Sequence, residues 1–430
     1  MSVDRRRFLQ VSAGVAAGTG LLGCKSESPA PPPPAASPKP FATLKPMTGD
    51  VKPITVEERQ ARIEKARKLM VENKIDAMYI EAGTALLYFT GVRWSGSERM
   101  FAAIIPAKGE VAYVCPHFEL DRALEQVVIG KDIRVWEEDE SPAEKVAQVF
   151  KDRGISTGTV AMEERVRFFL FDTIRKAAPH LKFVSADPVT IACRVIKSPA
   201  EIALMQKASD ITIEAYRAVI PLFKEGMTKG EFAELGAAAH LALGAEGNIG
   251  CNFGEYTALP HGSVKPRTLR QGDVILMDGG CSVDGYRSDI SRTIVFGTAT
   301  QRQKDIWDLM TRTQAAAFEA AKLGVPCEEV DAASRKVIEA FGFGPMYKVP
   351  GCPHRTGHGI GLDGHEWINL VRGNKTPIAV GMCFTNEPMI VVPGEFGIRI
   401  EDDMHMTDQG MKWFSTPSPS ITEPVVGLKI

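Results

Sequence analysis

Apolar residues recur along the chain at two spacings, one typical of helices and one typical of strands. Between residues 57 and 74 they fall on one face of a predicted helix. Three short apolar runs follow, and then a second helical pattern: 77–80, 101–105, 111–115 and the helix 120–127. The segment Pro106–Gly109 separates two of these runs and predicts a hairpin turn between strands. This alternation predicts an α/β domain over residues 55–190.

Helix start signals in the rest of the chain fall at two places. Ser198 can cap a helix whose first turn holds Pro199, with Glu201 three residues after the cap. Thr300 opens a second long helical pattern. A glycine ends each long helix and a shorter helix follows, which gives four predicted helices: 198–223, 230–243, 300–322 and one ending near 341.

Matched intervals indicate that this plan is an internal repeat. A histidine follows a helix-ending glycine after 35 residues in one half (Gly226 to His261) and after 34 in the other (Gly324 to His358). Six positions separate a glycine from a carboxylate on a predicted strand in both halves: Gly272 and Asp278, Gly381 and Glu387. We therefore predict that residues 191–430 form a pseudo-twofold α+β domain.

The first 54 residues predict an export signal followed by a linker to the membrane. A run of arginines, Arg5–Arg7, precedes an apolar stretch ending at Cys24, which is shorter than the roughly 20 apolar residues that span a bilayer. Residues 1–24 resemble a bacterial twin-arginine signal, and their last four residues resemble a lipobox, so we expect export to the periplasm and lipidation of Cys24. A plain cleaved signal and an N-terminal helix are the alternatives. The proline-rich residues 25–54 predict an extended linker to the membrane.

Charge and cysteine content exclude several classes of function. The chain holds 51 Lys+Arg and 53 Asp+Glu, a net charge of -2, which argues against a broad nucleic-acid surface. Eight cysteines are scattered without a Cys-x-x-Cys pair, so neither a zinc ribbon nor a dithiol redox site is indicated. With Cys24 modified, the seven that remain do not suggest a complete disulfide framework.

Four acidic residues lie on two predicted hairpins. The strand 272–278 ends at Asp278, and its predicted partner 289–295 begins at Asp289, with Asp284-Gly285 as the turn signal. If pairing is symmetric about that turn, we expect Asp278 and Asp289 to face each other directly. Glu387 and Glu401 are likewise symmetric about Gly394. The four carboxylates would then converge.

Four carboxylates this close repel one another and raise one another's pKa values. Two divalent metal ions bridged by these acids would resolve the repulsion, with the imidazole of His358 completing the set. Mostly oxygen ligands favour a hard ion such as Mn²⁺, with Zn²⁺ or Co²⁺ as alternatives. The competing interpretation is that the acids are solvated strand ends.

Three histidines share one glycine-rich stretch, at 354, 358 and 365. The glycines there suggest a backbone that must pass close to another group. A fourth, His261, follows Pro260 and is also a candidate site residue. The remaining histidines are interpreted as structural: His117, His180, His240 and His405.

Together these residues resemble the pita-bread metallopeptidases, and within them the Xaa-Pro branch of proline dipeptidase and aminopeptidase P. The resemblance runs from about residue 57 to the end of the chain. It rests on the histidine spacing from His354 to His365 and on four short motifs: Met277–Gly279, Ser288–Thr293, Asn386–Pro388 and Arg399–Asp402. Arg355 departs from the family pattern, where a small residue is common, and this leaves substrate length and preference open.

The resemblance implies a creatinase-like N-terminal domain packed over the site, a dinuclear metal centre and a homodimer. Its implied metal ligands are Asp278, Asp289, His358, Glu387 and Glu401, with Asp289 and Glu401 bridging. It also implies hydrolysis of the bond between an N-terminal residue and proline, in dipeptides or short peptides.

The expected roles divide the chemistry among five side chains. Glu387 would carry the proton, His261 would support the oxyanion or the leaving group, and His365 would bind the scissile carbonyl. His354 would line the proline side, and Arg399 would orient the acids.

Three rival interpretations stay open from the sequence. The first is another amidohydrolase on the same fold, such as creatine amidinohydrolase, and the second is methionine aminopeptidase. The third is a membrane-tethered peptide-binding protein whose catalytic domain has decayed. The sequence also leaves dipeptidase and aminopeptidase P unseparated.

Overall fold

The computed structural model describes residues 41–430 of the chain. The predicted export signal at 1–24, including Cys24, and residues 25–40 of the predicted linker lie outside the described residues. Within residues 41–430, every helix is too short or too polar to cross a membrane.

The first part of the fold is a six-stranded sheet flanked by helices. Its strands are β1 (Ala77–Glu81), β2 (Ala102–Pro106), β3 (Ala112–Pro116), β4 (Asp132–Trp136), β5 (Thr159–Met162) and β6 (Lys182–Ser185). Its helices are α1 (Val56–Glu72), α2 (Thr84–Thr90), α3 (Leu120–Gln126), α4 (Pro142–Asp152), α5 (Phe168–Ala177) and α6 (Asp187–Arg194). The strand order is β4-β3-β2-β1-β5-β6, with β2 antiparallel to both neighbours and the other pairs parallel. The predicted α/β architecture is confirmed.

Burial explains why the central strands read as continuous apolar runs. Every residue of β1 and β2 is buried, so both faces of these strands are covered and no polar alternation is needed. Tyr79 and Val114 pack into one core with Phe150 of α4. The hairpin predicted at Pro106–Gly109 joins β2 to β3 in antiparallel register.

The second part contains two helix pairs and the strands that they cover. Its helices are α7 (Pro199–Val219), α8 (Lys229–Ala242), α9 (Gln301–Ala320) and α10 (Cys327–Ala340). Its first strands are β7 (Glu246–Phe253), β8 (Val274–Val283), β9 (Tyr286–Arg287) and β10 (Ile290–Val295). The later strands are β11 (Gly357–Gly359), β12 (Glu366–Leu370), β13 (Cys383–Asn386), β14 (Met389–Val392), β15 (Phe396–Arg399), β16 (Asp402–Thr407) and β17 (Gly410–Trp413).

These strands form three antiparallel groups. One sheet has the order β10-β8-β7, with β9 also paired to β8. A second has the order β12-β11-β13-β16-β17, and β14 and β15 form a hairpin of their own. The two hairpins that carry the candidate acids, β8–β10 and β14–β15, thus belong to different groups.

Both helix pairs begin with the same cap. Ser198 Oγ accepts the N–H of Glu201, and a carboxylate oxygen of Glu201 accepts the N–H of Ser198 at 2.8 Å. Thr300 and Gln303 form the equivalent pair at the start of α9. Each pair satisfies two N–H groups that have no partner within the helix. The starts of both long helices are where the sequence predicts them, in keeping with the predicted repeat.

Ion pairs between buried side chains connect the two parts of the fold. Arg194 at the end of α6 lies 2.5 Å from Glu366 and 2.6 Å from Asp363, and Lys197 lies 2.8 Å from the other oxygen of Glu366. Burial opposes ionisation of Glu366, but the two cations outweigh it and lower the pKa of this carboxyl to about 2. The cluster fixes the first part against the loop that carries His365.

Candidate metal centre and catalytic cleft

The first candidate hairpin has a different register from the predicted one. Asp278 on β8 lies opposite Ser291, so the prediction that Asp278 and Asp289 face each other directly is wrong. The turn is Asp284-Gly285, whose two residues have φ of 48° and 92°, as a tight two-residue hairpin requires. Pairing about the centre of that turn shifts the partner of Asp278 two residues further along the return strand.

The two-residue offset keeps both acids on the same face of the hairpin. Side chains alternate between faces with a period of two, so Asp278 and Asp289 are diagonal neighbours. The candidate ligand oxygens of Asp278, Asp289 and Glu401 lie within 4.8 Å of one another. The predicted convergence of these acids is confirmed, although the predicted pairing is not.

The second candidate hairpin has the predicted symmetry. Met389 pairs with Arg399, and continuing this register by two residues places Glu387 opposite Glu401. The centre of symmetry is Gly394, which has a φ of 76°. Glu387 follows the end of β13 and Glu401 follows the end of β15, so both acids stand where the hairpin opens.

Ser291 joins the two hairpins. Its backbone pairs with that of Glu401 through two hydrogen bonds of 3.1 and 3.2 Å. Its hydroxyl donates to Oε2 of Glu401 at 2.6 Å. One residue of the first hairpin therefore holds an acid of the second.

His358 brings a nitrogen ligand to the same place. It is buried on β11, and its Nδ1 lies 3.0 Å from the carbonyl oxygen of Gly359. With Nδ1–H donating to that carbonyl, the Nε2 lone pair points toward the acids, which is the usual arrangement of a metal-binding histidine. Nε2 lies 3.2 Å from Glu387.

The five predicted metal ligands fall into two groups that share Glu401. Asp278, Asp289 and Glu401 form one group; His358, Glu387 and Glu401 form the other, with ligand atoms within 4.8 Å in each. A further group of the same size combines Asp289 and His358 with His365, which the sequence assigned to substrate binding.

The charges of this cluster demand a cation. Burial, with the nearby Asp278 carboxylate, raises the pKa of Asp289 to about 7. Burial, with the charges of Asp289 and Glu387, raises the pKa of Glu401 well above its usual value. A donor set of carboxylate oxygens and one imidazole suits divalent cations, which would stabilise the ionised acids. The side chains that are present therefore fit a metal centre.

Arg399 is the positive side chain inside the cluster. Its Nε donates to Ser291 Oγ at 2.9 Å, and a terminal nitrogen donates to Asp278. Its guanidinium also lies 3.8 Å from Glu387 and 3.6 Å from Glu401. Arg399 thus contacts acids of both hairpins, as an orienting residue must.

A cleft of about 410 Å³ opens over the cluster and contains the other predicted catalytic residues. It is lined by Pro260, His261, Pro353, His354, Arg355, His365, Glu387 and Arg399. The His365 ring stacks on that of His358 with 3.9 Å between centroids. His354 Nδ1 lies 2.7 Å from the Arg355 carbonyl, and its buried Nε2 has no hydrogen-bond partner among the described residues.

Ionisation of His354 and His365 is disfavoured. Burial lowers the pKa of His354, and burial together with neighbouring His358 lowers the pKa of His365. Both shifts favour the neutral imidazole over the charged form. The exposed His261 lines the same cleft.

The four histidines interpreted as structural lie outside this cleft lining. His240 is fully buried, and its Nδ1 lies 2.9 Å from the carbonyl of Gly236. His405 packs against Phe414 with the two rings tilted, and His117 contacts Glu137 at the surface. His180 is exposed at the edge of the first part of the fold.

Three supporting residues have contacts that the sequence did not predict. Ser291 has the hydrogen bonds given above, Thr385 Oγ1 accepts the backbone N–H of His358 at 3.1 Å, and Asp403 accepts that of Asp289 at 2.9 Å. Pairing about the Asp284-Gly285 turn would have placed Ser291 opposite Asp278. Thr385 and His358 lie on β13 and β11, neighbouring strands of one sheet, whereas Asp403 on β16 contacts the segment before β10 of another sheet. The sequence has no signal for either contact.

Family models match both parts of the chain. The model of metallopeptidase family M24 matches residues 203–408, and that of the Creatinase/Prolidase N-terminal domain matches residues 62–196. The first match spans nearly all of the two helix pairs and strands β7 to β16, and the second spans all six strands of the first sheet.

Similar proteins match most of the chain. The chain is 34% identical to an uncharacterized peptidase of Schizosaccharomyces pombe, over 84% of this chain and 82% of the relative. It is 30% identical to a Xaa-Pro dipeptidase of Pyrococcus furiosus, over 82% of this chain and 96% of that protein. The solved recombinant prolidase of Thermococcus sibiricus superposes with a TM-score of 0.77 at 28% identity, covering 83% of this chain and 97% of that one.

Proposed function

This chain belongs to metallopeptidase family M24, and from that premise we propose that it is an exopeptidase that hydrolyses the bond between an N-terminal residue and a following proline. The proposed substrates are Xaa-Pro dipeptides or short peptides with proline second. The observation that carries the proposal is the pair of ligand groups, Asp278 and Asp289 with Glu401, and His358 and Glu387 with the same Glu401. A decayed binding protein would not need to keep this set intact.

We assign divalent metal ions to this M24 centre and propose that there are two of them. The five residues of the two groups would hold them, with Glu401 common to both groups. Mn²⁺ is the favoured ion because most of the donors are hard carboxylate oxygens, with Zn²⁺ and Co²⁺ as alternatives. When bound, such ions supply a Lewis acid and an activated water near neutral pH.

Glu387 is the proposed proton carrier. It lines the cleft as well as the metal centre, so its carboxylate can reach both an attacking water and a substrate. A carboxylate oxygen of Glu387 would accept the proton of the water and pass it to the proline nitrogen as the bond breaks. Thr385 and Arg399 contact this carboxylate and would hold it in position.

The cleft histidines are the proposed substrate contacts. His365 would donate to the scissile carbonyl, and His261 would support the developing oxyanion or the leaving group. His354 lines the side on which proline would lie, and its Nε2 has no hydrogen-bond partner among the described residues. Proline suits such a site because its nitrogen has no hydrogen in the peptide bond, so ordinary exopeptidases handle that bond poorly.

We also propose that the protein is exported by the twin-arginine route, is anchored through a lipid on Cys24 and acts as a homodimer. The support for export and anchoring is the sequence of residues 1–24. Detergent-phase partitioning of the full-length protein and of a Cys24→Ser variant, expressed in a bacterium, tests the anchor. Equal partitioning of both proteins would contradict it.

A matched pair of substrates tests the proposed activity. The purified protein is incubated with Mn²⁺ and either Ala-Pro or Ala-Pro-Pro-Ala, and released alanine is measured. Release from either substrate supports the exopeptidase, and release from both indicates an aminopeptidase P. Binding of both peptides without release, after the metals are varied, would contradict the proposal and favour a peptide-binding protein.

A further inference from the structure

Helix α10 carries a buried ion pair outside the lining of the catalytic cleft. Asp331 and Arg335 lie four positions apart on the helix, and Nε of Arg335 lies 2.8 Å from Oδ2 of Asp331. Their side chains are 1% and 5% exposed. Removing two charges from water costs free energy that the contacts of the pair must offset. Those contacts lead to residues of the cleft.

The guanidinium of Arg335 binds three backbone carbonyls of the segment that leads to His358. Nη1 donates to the carbonyl oxygens of Met346 at 2.7 Å and Cys352 at 3.3 Å, and Nη2 donates to that of His354 at 2.8 Å. A guanidinium has five N–H donors in a fixed plane, so one side chain can hold three points of the segment. The His354 backbone is thereby fixed, while its ring lines the cleft.

The carboxylate of Asp331 binds the next part of the same segment. Its Oδ1 accepts the hydroxyl hydrogen of Thr356 at 2.8 Å, and its Oδ2 accepts the backbone N–H of Arg372 at 3.2 Å. The carbonyl oxygen of Thr356 in turn accepts the backbone N–H of Glu387 at 2.9 Å. The ion pair thus contacts the backbone of His354 directly and that of Glu387 through Thr356.

The segment depends on such contacts because it has little regular structure of its own. Residues 341–356, which join α10 to β11, contain neither helix nor strand. Within the described residues, the His354 ring has one hydrogen bond, from Nδ1 to the Arg355 carbonyl, so its place in the cleft follows from its backbone. A misplacement of about 1 Å can reduce the rate of an enzyme about 100-fold.

We propose that Asp331 and Arg335 are positioning residues that hold residues 346–356 in the productive geometry for cleavage. The pair keeps His354 and Glu387 oriented toward the substrate. This inference rests on the proposed function. Neither side chain of the pair lines the cleft, so loss of the pair should lower kcat more than it changes KM.

The first test replaces Arg335 by methionine, which keeps apolar volume but cannot donate to the three carbonyls. We expect kcat for Ala-Pro at saturating Mn²⁺ to fall by about 10- to 100-fold, with metal content close to that of the wild type. Arg62→Met is the matched control, because Arg62 is also buried, pairs with Glu58 at 2.8 Å and donates to the carbonyl of Tyr88. These partners lie outside the cleft lining, so the control should lose stability and keep the wild-type kcat.

The second test does not depend on the folding of Arg335→Met. Thr356→Val keeps the shape of the side chain and removes the hydroxyl that donates to Asp331, so kcat should fall, whereas Thr356→Ser keeps the hydroxyl and should recover most of it. Hydrogen–deuterium exchange is measured on peptides from residues 346–356 of the same proteins. It should rise in Arg335→Met and Thr356→Val, but not in Arg62→Met.

Unchanged exchange of residues 346–356 in both Arg335→Met and Thr356→Val would overturn the inference, because the segment would then not depend on the pair. An equal loss of kcat in Arg335→Met and Arg62→Met would overturn it as well, since lost stability alone would explain both. If the wild-type protein cleaves neither Ala-Pro nor Ala-Pro-Pro-Ala, it is the proposed function that fails, and the exchange still tests whether the pair holds the segment.

Discussion

Ser291 donates its hydroxyl hydrogen to Oε2 of Glu401 across 2.6 Å. The same hydroxyl oxygen accepts the Nε–H of Arg399 at 2.9 Å. One buried side chain on the first hairpin therefore positions an acid and a cation that both belong to the second. Supporting contacts of this kind fix the orientation of metal ligands.

Replacing Ser291 by alanine should weaken metal binding without unfolding the protein. Loss of its two hydrogen bonds leaves Glu401 free to turn, and we expect metal affinity to fall by about 10- to 100-fold. Competition with a metal-binding dye measures this. Ser209→Ala is the matched control, since Ser209 is fully buried and its Oγ has no hydrogen-bond partner among the described residues. Equal metal affinity of the two variants would contradict the assigned role.

Replacing Glu387 by glutamine should remove the proposed proton carrier. An amide cannot accept the proton of the attacking water, so we expect kcat on Ala-Pro to fall by about 100- to 10,000-fold at saturating metal. Metal content is measured alongside, because Glu387 also belongs to a ligand group. Full turnover by the metal-loaded variant would refute the assignment.

Chelation of the metal should inactivate and destabilise the protein together. Without cations the acids of the two ligand groups repel one another, whereas bound metal at 100 times its Kd stabilises the fold by about 2.7 kcal/mol. Thermal unfolding with and without a chelator measures the effect, and Asp289→Asn should show a smaller shift of the unfolding temperature.

Protein purified from the cell envelope should contain manganese. Envelope protein that contains only zinc would contradict the choice of ion.

Replacing Glu366 by glutamine should destabilise the contact between the two parts of the fold. Its partners Arg194 and Lys197 would stay buried without a countercharge, at a cost of about 3 kcal/mol near neutral pH. Urea unfolding measures this loss. Glu395→Gln, which removes an exposed pair with Arg302, is the control and should cost less than about 1 kcal/mol.

The effect of Glu366 should depend on pH with a defined sign. Its pKa is about 2 in the fold against an ordinary value of 4.5, so the stabilisation is complete above 4.5 and is lost as the pH falls toward 2. The stability difference between wild type and Glu366→Gln should therefore shrink when unfolding is repeated between pH 5 and 3. A difference that grows on acidification would show that the Glu366 charge is not the cause.

The sequence predicted the elements of the site better than their register. Helix caps and glycines are local signals, so the starts at Ser198 and Thr300 and the hairpin centre at Gly394 are correct. For the other hairpin, the predicted strand pairing was not centred on the Asp284-Gly285 turn. The predicted partner of Asp278 was therefore wrong by two residues. The two acids still lie close together, because a shift of two residues leaves a side chain on the same face of the sheet.

Contacts between segments that are far apart along the chain could not be predicted from the sequence. Ser291 reaches Glu401 across 110 positions of the chain, and Arg194 reaches Glu366 across 172. Neither contact follows from the periodicity of apolar residues or from a turn motif. Arg355 was visible in the sequence only as a departure from a family pattern, and only the fold shows its contact with His365.

The central claim is tested most directly by comparing Ala-Pro with Ala-Ala on the Mn²⁺-loaded protein, with Asp289→Asn as the control for the metal centre. We predict alanine release from Ala-Pro at a kcat/KM at least about 10-fold above that for Ala-Ala, and loss of both activities in the variant. Equal cleavage of the two dipeptides, or activity that survives in Asp289→Asn, would contradict a metal-dependent Xaa-Pro exopeptidase.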